Sequence, residues 1–149
     1  MVSPNETILI AEDDENDVLL LKRAFQKNGI AARIVIVSDG EQALNYLQGK
    51  GEYCDRSSHP FPSLILTDLK MPKRNGFEIL DWLNKHPECS VIPTIVLTSS
   101  PSEEDISKAY RLGANSYFVK PPDFDQLQGL IKEICHYWSL TRRPTLGKC

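Results

Sequence analysis

Polar residues interrupt four short apolar runs of this chain, and their types suit one chemistry. Glu12 and Asp13 follow TILIA, Asp68 follows LILT, Thr98 closes PTIVLT, and Lys120 follows NSYFV. A polar residue at the carboxyl end of a buried parallel strand lies where open α/β sheets place their ligand crevice. Asp68 alone could serve only to cap the helix that follows it. The same placement in four separate segments selects chemistry over capping, because parallel strands bring their carboxyl ends to one edge. Three carboxylates there repel, and without compensation at least one is pushed toward its neutral form. A divalent cation relieves that repulsion, and all-oxygen ligation with partial hydration suits Mg²⁺ rather than zinc. Mg²⁺ and Lys120 then balance Glu12, Asp13 and Asp68, and the site suits a phosphoryl group. The cations neutralise its oxygens, Thr98 donates a hydrogen bond, and Asp68 is the in-line nucleophile that yields an acyl phosphate.

The elements that must position these residues are legible as alternating periods. Thr7–Ala11, Ala32–Val37, Leu64–Thr67, Pro93–Thr98 and Asn115–Val119 are short β-rich runs, the form of strands buried on both faces. Between them run helical stripes: Val18, Leu21 and Phe25 in 14–28; Ala43, Leu44 and Leu47; Ile79, Leu80 and Leu83 in 76–86; Ile106, Ala109 and Tyr110. Phe124, Leu127, Leu130, Ile131, Ile134 and Trp138 form the last one, starting near Asp123. Capping boxes are expected at Ser38–Glu41 and Ser100–Glu103, the second with Pro101 at the first helical position. Strand and helix alternate throughout, so right-handed crossovers predict a doubly wound (βα)5 sandwich, strand order 2-1-3-4-5. Residues 49–62 are long for a compact connection and are expected to form a packed surface loop or a partner site. The polar tail, 139–149, is expected to fray.

The 149 residues are expected to form a single domain, 1–149, with its core over about 7–138. A net charge of −3 and no basic patch argue against a nucleic-acid partner. No run approaches the ~20 apolar residues of a membrane span and no signal peptide is evident, so a cytoplasmic protein is expected. Cys54, Cys89, Cys135 and Cys149 form no metal-binding spacing with the three histidines, and reduced thiols are expected.

The segments ILIAEDD, LILTDLKMP, IVLTSS and YFVKP resemble the four signature segments of response-regulator receiver domains of two-component signalling. The resemblance spans roughly Thr7 to Trp138. It implies a phosphoacceptor signalling protein rather than an enzyme, with Asp68 receiving phosphate from the phosphohistidine of a histidine kinase. It further implies that Asp13, Asp68 and the Lys70 carbonyl ligate Mg²⁺, that Glu12 acts through water, and that Thr98 and Lys120 contact the phosphoryl group. Tyr117 matches the switch aromatic, and Lys120–Pro121 matches a peptide bond usually cis in the family. Glu12 stands where Asp is commoner, which lengthens one arm of the acid pair, and Pro122 adds a second proline. More narrowly, GEYCDRSSHPFP, KRNGFEILDWLN and CHYWSL look like single-domain, phytochrome-associated (Rcp-type) response regulators. Those are stand-alone receivers serving a bilin photoreceptor kinase, often homodimeric through the fourth helix, fifth strand and fifth helix.

Plainer readings compete at some positions. Tyr117 could be an ordinary strand tyrosine. Trp138 follows Ile131 and Ile134 at helical spacing and belongs to the core, whereas Tyr137 lies off the stripe and suits a dimer interface. Trp82 is expected to pack the long loop, and Cys135-His136 to have no special role. A haloacid-dehalogenase-type phosphatase would need a second Asp where Lys70 stands, and a cap domain. A pseudo-receiver acting only as a binding module would lack an acid, the threonine or the lysine. A flavin-binding flavodoxin-like protein would need a Gly/Ser/Thr phosphate loop where Glu12-Asp13-Asp14 stands. Lys70 and Ser100, two residues beyond Asp68 and Thr98, border the approach of a hydrolytic water. Ser100 is expected to be taken up in capping, and Lys70 to lie over the phosphoryl oxygens.

Overall fold

The computed structural model describes residues 6–144. Five strands, β1 (Thr7–Ala11), β2 (Arg33–Val37), β3 (Leu64–Thr67), β4 (Thr94–Thr98) and β5 (Ser116–Val119), form one parallel sheet in the order 2-1-3-4-5. Helices α1 (Glu15–Lys27), α2 (Gly40–Gln48), α3 (Gly76–Asn84), α4 (Glu103–Arg111) and α5 (Phe124–Leu140) alternate with them. Topology and element order are those expected from the sequence.

The central strands β1, β3 and β4 are buried at every position, which is why they read as unbroken apolar runs. Side chains alternate across the sheet. Ile8, Ile10, Leu64, Leu66, Ile95 and Leu97 face α1 and α5, packing on Leu21, Phe25, Ile131 and Ile134. Leu9, Ala11 and Ile65 face the other way, onto Leu44, Leu47, Ile79 and Leu83. A third cluster joins Val96 to Leu80, Ala109 and half-buried Leu112 and Phe77. Each such aliphatic side chain contributes roughly 1.5–3 kcal/mol by burial, and Ile65→Ala would cost about 2–5 kcal/mol. Tyr110, expected to face inward, is 48% exposed, its place under α4 being taken by Leu112 and Phe77. Trp138 packs on the core, as its spacing requires. Trp82 stacks on His86, ring centroids 3.9 Å apart.

Each of the helices α1 to α5 begins on an acid, amide or hydroxyl that accepts a backbone N–H three residues on: Asp14, Asp39, Asn75, Ser102 and Asp123. Such caps are each worth about 1 kcal/mol. Two differ from expectation. Asp39, not Ser38, caps α2, and Gln42 reaches back to the Ser38 N–H. Ser102, not Ser100, caps α4, which leaves Pro101 outside the helix. Ser100 instead donates to Asp105 Oδ2 at 2.6 Å.

Residues 49–62 are a packed surface loop. Fully buried Tyr46 donates to the Pro60 carbonyl at 2.6 Å, and Arg56 donates to the carbonyls of Leu47 and His59 while lying 4.0 Å over Phe61. The tail does not fray where expected. The last helix runs to Leu140, and Arg143 donates to the Ser63 carbonyl at 2.8 Å and pairs with Glu6 at 3.1 Å. The rest of the expected fraying, and Cys149, lie outside the described residues. Cys54 and Cys135 are free thiols, but Cys89 is disulfide-bonded, contrary to the expectation of reduced thiols. No described peptide bond is cis, so Lys120–Pro121 is trans, the isomer an X–Pro bond prefers by about 0.5–1 kcal/mol where no tight turn demands the other.

Candidate functional site

The sheet ladder itself aims the site residues. Glu12, Asp68 and Lys120 each stand just past a strand, yet their N–H groups still donate across the sheet, to Val37, Ala11 and Thr98 at 3.0, 3.0 and 2.7 Å. The three side chains are thereby held at one edge before the chain turns away. Asp13, the next residue after Glu12, is exposed there, and Thr98 is buried at the end of β4.

Lys120 Nζ lies 2.6 Å from Glu12 Oε1, 2.7 Å from Asp17 Oδ2 and 2.9 Å from Asp68 Oδ2. Asp68 Oδ1 accepts the Leu69 N–H at 2.6 Å, so one carboxylate oxygen is held by backbone and the other by the ammonium. Gly76 closes the loop behind it: its N–H donates to the Leu69 carbonyl at 2.9 Å, and a Cβ there would strike the Asp68 carbonyl oxygen. Glu12 is 2% exposed. Burial pushes its carboxyl up to about 7, against the opposing pull of Lys120 and with the Asp68 charge adding to the rise. Burial works against the charge on Lys120, but its hydrogen bonds to Asp17, Glu12 and Asp68 outweigh it and drive the ammonium upward.

Glu12, Asp13 and Asp68 can each offer an oxygen, the three lying within 4.8 Å of one another. That donor set fits a hard divalent cation such as Mg²⁺ and not a thiolate- or imidazole-bound metal. An open crevice of about 620 Å³ lies over them, with Lys70, Ser99 and Lys120 also in its wall. Lys70 is exposed and Ser99 follows Thr98, so the crevice offers cations and a hydroxyl around the buried Asp68 carboxylate.

Among the residues singled out in the sequence, Glu12, Asp13, Asp68 and Lys120 come together, and Thr98 borders them through the Lys120 backbone. Tyr117 is half-buried on β5 and donates to the Ser100 carbonyl at 2.8 Å, just beyond Thr98. Tyr137 is 61% exposed on α5 and takes no part in the site. Asp17 was not anticipated. The signal was present: it lies in the first turn of the helix that follows the Glu12-Asp13 strand end at once, capped by Asp14.

Comparison with known proteins agrees with this geometry. The sequence profile of the response regulator receiver domain matches residues 8–132. A probable methanogenesis regulatory protein, FilR2 of Methanothrix harundinacea, is 36% identical over 88% of this chain and 82% of its own. Response regulator Rcp1 of Synechocystis is 34% identical over 91% of this chain and 90% of its own. The crystal structure of Mn²⁺-bound Rcp1 superposes with a TM-score of 0.84 at 33% identity, covering 94% of this chain and 99% of that one. Response regulator RPA3017, in red light signaling of R. palustris, superposes with a TM-score of 0.89 at 35% identity, again covering 94% and 99%. The chain belongs to the response regulator receiver domain family.

Proposed function

We propose that Asp68 is the phosphoacceptor of this response regulator receiver domain, whose donor is the phosphohistidine of a histidine kinase, a bacterial phytochrome. The observation that carries this reading is the shared Lys120 ammonium, 2.9 Å from Asp68 Oδ2 beside three carboxylates able to meet within 4.8 Å. A carboxylate oxygen of Asp68 forms the new P–O bond as the P–N bond of phosphohistidine breaks, and the imidazole leaves with the electron pair. Lys120 then turns from the carboxylate to a phosphoryl oxygen, and the Thr98 hydroxyl donates to another. Asp13, Asp68 and the Lys70 carbonyl would hold Mg²⁺, with Glu12 acting through water, and the bound ion supplies positive charge against the transferring oxygens. The protein is a signalling protein, not an enzyme acting on a separate substrate, and it works in the cytoplasm without nucleic acid or membrane. Among the described residues no helix is long and apolar enough to cross a membrane.

Tyr117 is the switch aromatic: the bond from its hydroxyl to the Ser100 carbonyl ties β5 to the loop after Thr98, so a shift of Thr98 toward phosphate is felt there. Output passes through a protein contact or onward phosphate relay. A homodimer through α4, β5 and α5 is supported by exposed Tyr110, Val119, Tyr137 and Leu140 on those three elements. Tyr137→Glu is expected to shift the sedimentation mass toward monomer while the fold is kept; an unchanged mass speaks against this face.

Treatment with phosphorylated histidine kinase, or with acetyl phosphate plus Mg²⁺, should give an acid-stable, base-labile adduct absent from Asp68→Asn. Label persisting in that variant at the wild-type level rejects the assignment.

A further inference from the structure

The loop that carries Lys70 is gripped from a third element. After Lys70 the chain runs through Met71, Pro72 and Lys73 to Arg74 before Asn75 caps α3. The Arg74 carbonyl accepts the N–H of Gly40, the first residue of α2, at 2.9 Å. Gly40 is buried, and a Cβ built on it would fall on that same carbonyl, so only glycine lets the two backbones meet. One residue earlier, Lys73 holds a left-handed φ of 66°, the only non-glycine among the described residues to do so. A side chain rarely adopts that conformation unless its surroundings enforce it. Its ammonium lies 3.8 Å from both Asp39 and Glu41, which flank Gly40. At its other end the loop is pinned by Gly76 against the Asp68 carbonyl.

We infer that Gly40, although it lies outside the crevice, is a positioning residue for the metal ligand set: it fixes the Lys73–Arg74 backbone and so the Lys70 carbonyl. This rests on the reading that Mg²⁺ is bound by Asp13, Asp68 and that carbonyl. Outer partners that orient metal ligands typically change metal affinity by about 10–100-fold when lost. Gly40 and Lys73 act from beyond the crevice through the backbone.

The test is a titration of full-length protein with MgCl₂, followed by the amide shifts of Leu69 and Lys70, with thermal unfolding measured in parallel. Gly40→Ala is expected to weaken Mg²⁺ binding about tenfold. Lys73→Val, a β-branched residue forced to positive φ on an exposed site, should weaken it in the same direction without touching the core. Lys73→Gly keeps the backbone conformation and removes both ion pairs, and it should restore affinity to within about twofold of wild type. Gly129→Ala, with nothing within 4 Å of the added Cβ, is the control for a glycine substitution of no consequence to the loop. A purely structural role would lower the unfolding temperature of Gly40→Ala and leave its Mg²⁺ affinity alone, and that result overturns the inference. Lys73→Gly losing as much as Lys73→Val overturns it too, since the lysine charge and not the backbone would then matter. If Gly40→Ala does not fold, the Lys73 pair decides. Asp13→Ala separates the two levels. If it binds Mg²⁺ like wild type, the metal-site reading itself fails; if it is weakened while Gly40→Ala and Lys73→Val are not, only the positioning role fails.

Discussion

At the carboxyl edge of the sheet one ammonium, Lys120, faces three carboxylates at 2.6, 2.7 and 2.9 Å. At the amino edge one guanidinium, Arg143, faces one carboxylate, Glu6, at 3.1 Å, and its other nitrogen donates to the Ser63 carbonyl. That second group also borders a cavity, of about 380 Å³, with Phe61, Ile92 and Pro93 in its wall. The amino-edge pair is balanced and bonded on both sides of the guanidinium, so it closes the structure by tying the segment after α5 to the strand starts. The carboxyl-edge group is unbalanced: Asp13 adds a further carboxylate, and burial first, then the Asp68 charge, pushes the Glu12 carboxyl upward. Excess charge of one sign, left to be neutralised by something else, distinguishes a binding site from a structural clasp.

The largest expected effect follows from the cost of that imbalance. Glu12 holds its proton more tightly folded, at about 7, than unfolded, at 4.5. The folded state therefore binds more protons than the unfolded state between those values. Stability from this group is fully present below about pH 4.5 and is lost as pH rises through 7, by about 3 kcal/mol in metal-free protein. Urea unfolding across that range should show the decline, and Glu12→Gln should flatten it. A decline of equal slope in the variant would remove Glu12 as its source.

An intermediate effect tests whether Lys70, in the wall of the crevice, guards the phosphoryl group. Lys70 is exposed and borders the approach to Asp68. If its arm lies over the phosphoryl oxygens, Lys70→Asn loses about 1 kcal/mol of barrier and hydrolyses its label about fivefold faster. Equal half-lives, or a longer one in the variant, mean that only the Lys70 carbonyl matters.

The smallest effect belongs to the amino edge. Arg143→Ala should cost about 1 kcal/mol or less in unfolding stability, as a partly exposed pair does. It should leave Mg²⁺ affinity and phosphorylation at wild-type levels. A change in either would mean that the two edges are coupled and the contrast drawn between them is wrong.

Much of the fold was legible because its signals are local. The sequence places β1 at Thr7–Ala11, where it is observed, since a strand buried on both faces is an uninterrupted apolar run. The starts of α2 and α4 were misplaced by one and two residues, because neighbouring Ser and Asp residues compete for the cap and backbone geometry picks the winner. The inward stripe of α4 was misread at Tyr110, as the room beneath that helix is filled by Phe77 from α3. The loop at 49–62 offered no periodicity, and its order comes from Tyr46 reaching the Pro60 carbonyl and from Arg56 joining the His59 carbonyl of the loop to the Leu47 carbonyl of α2. The grip of Arg143 on Ser63 joins residues 80 apart, and nothing in the tail itself announces it.

What the sequence determines alone is that Glu12, Asp13, Asp68, Thr98 and Lys120 share one edge: each stands where an apolar run ends, and parallel strands bring those ends together. What only the tertiary structure decides is their charge state and their partners. Asp17 and Lys120 meet across 103 residues of chain at 2.7 Å, and Gly40 meets Arg74 because α2 and the loop before α3 share one corner of the sheet. Desolvation and hydrogen bonding depend on such distances and on burial, so the raised carboxyl of Glu12 and the threefold sharing of Lys120 exist only once the chain has closed around them.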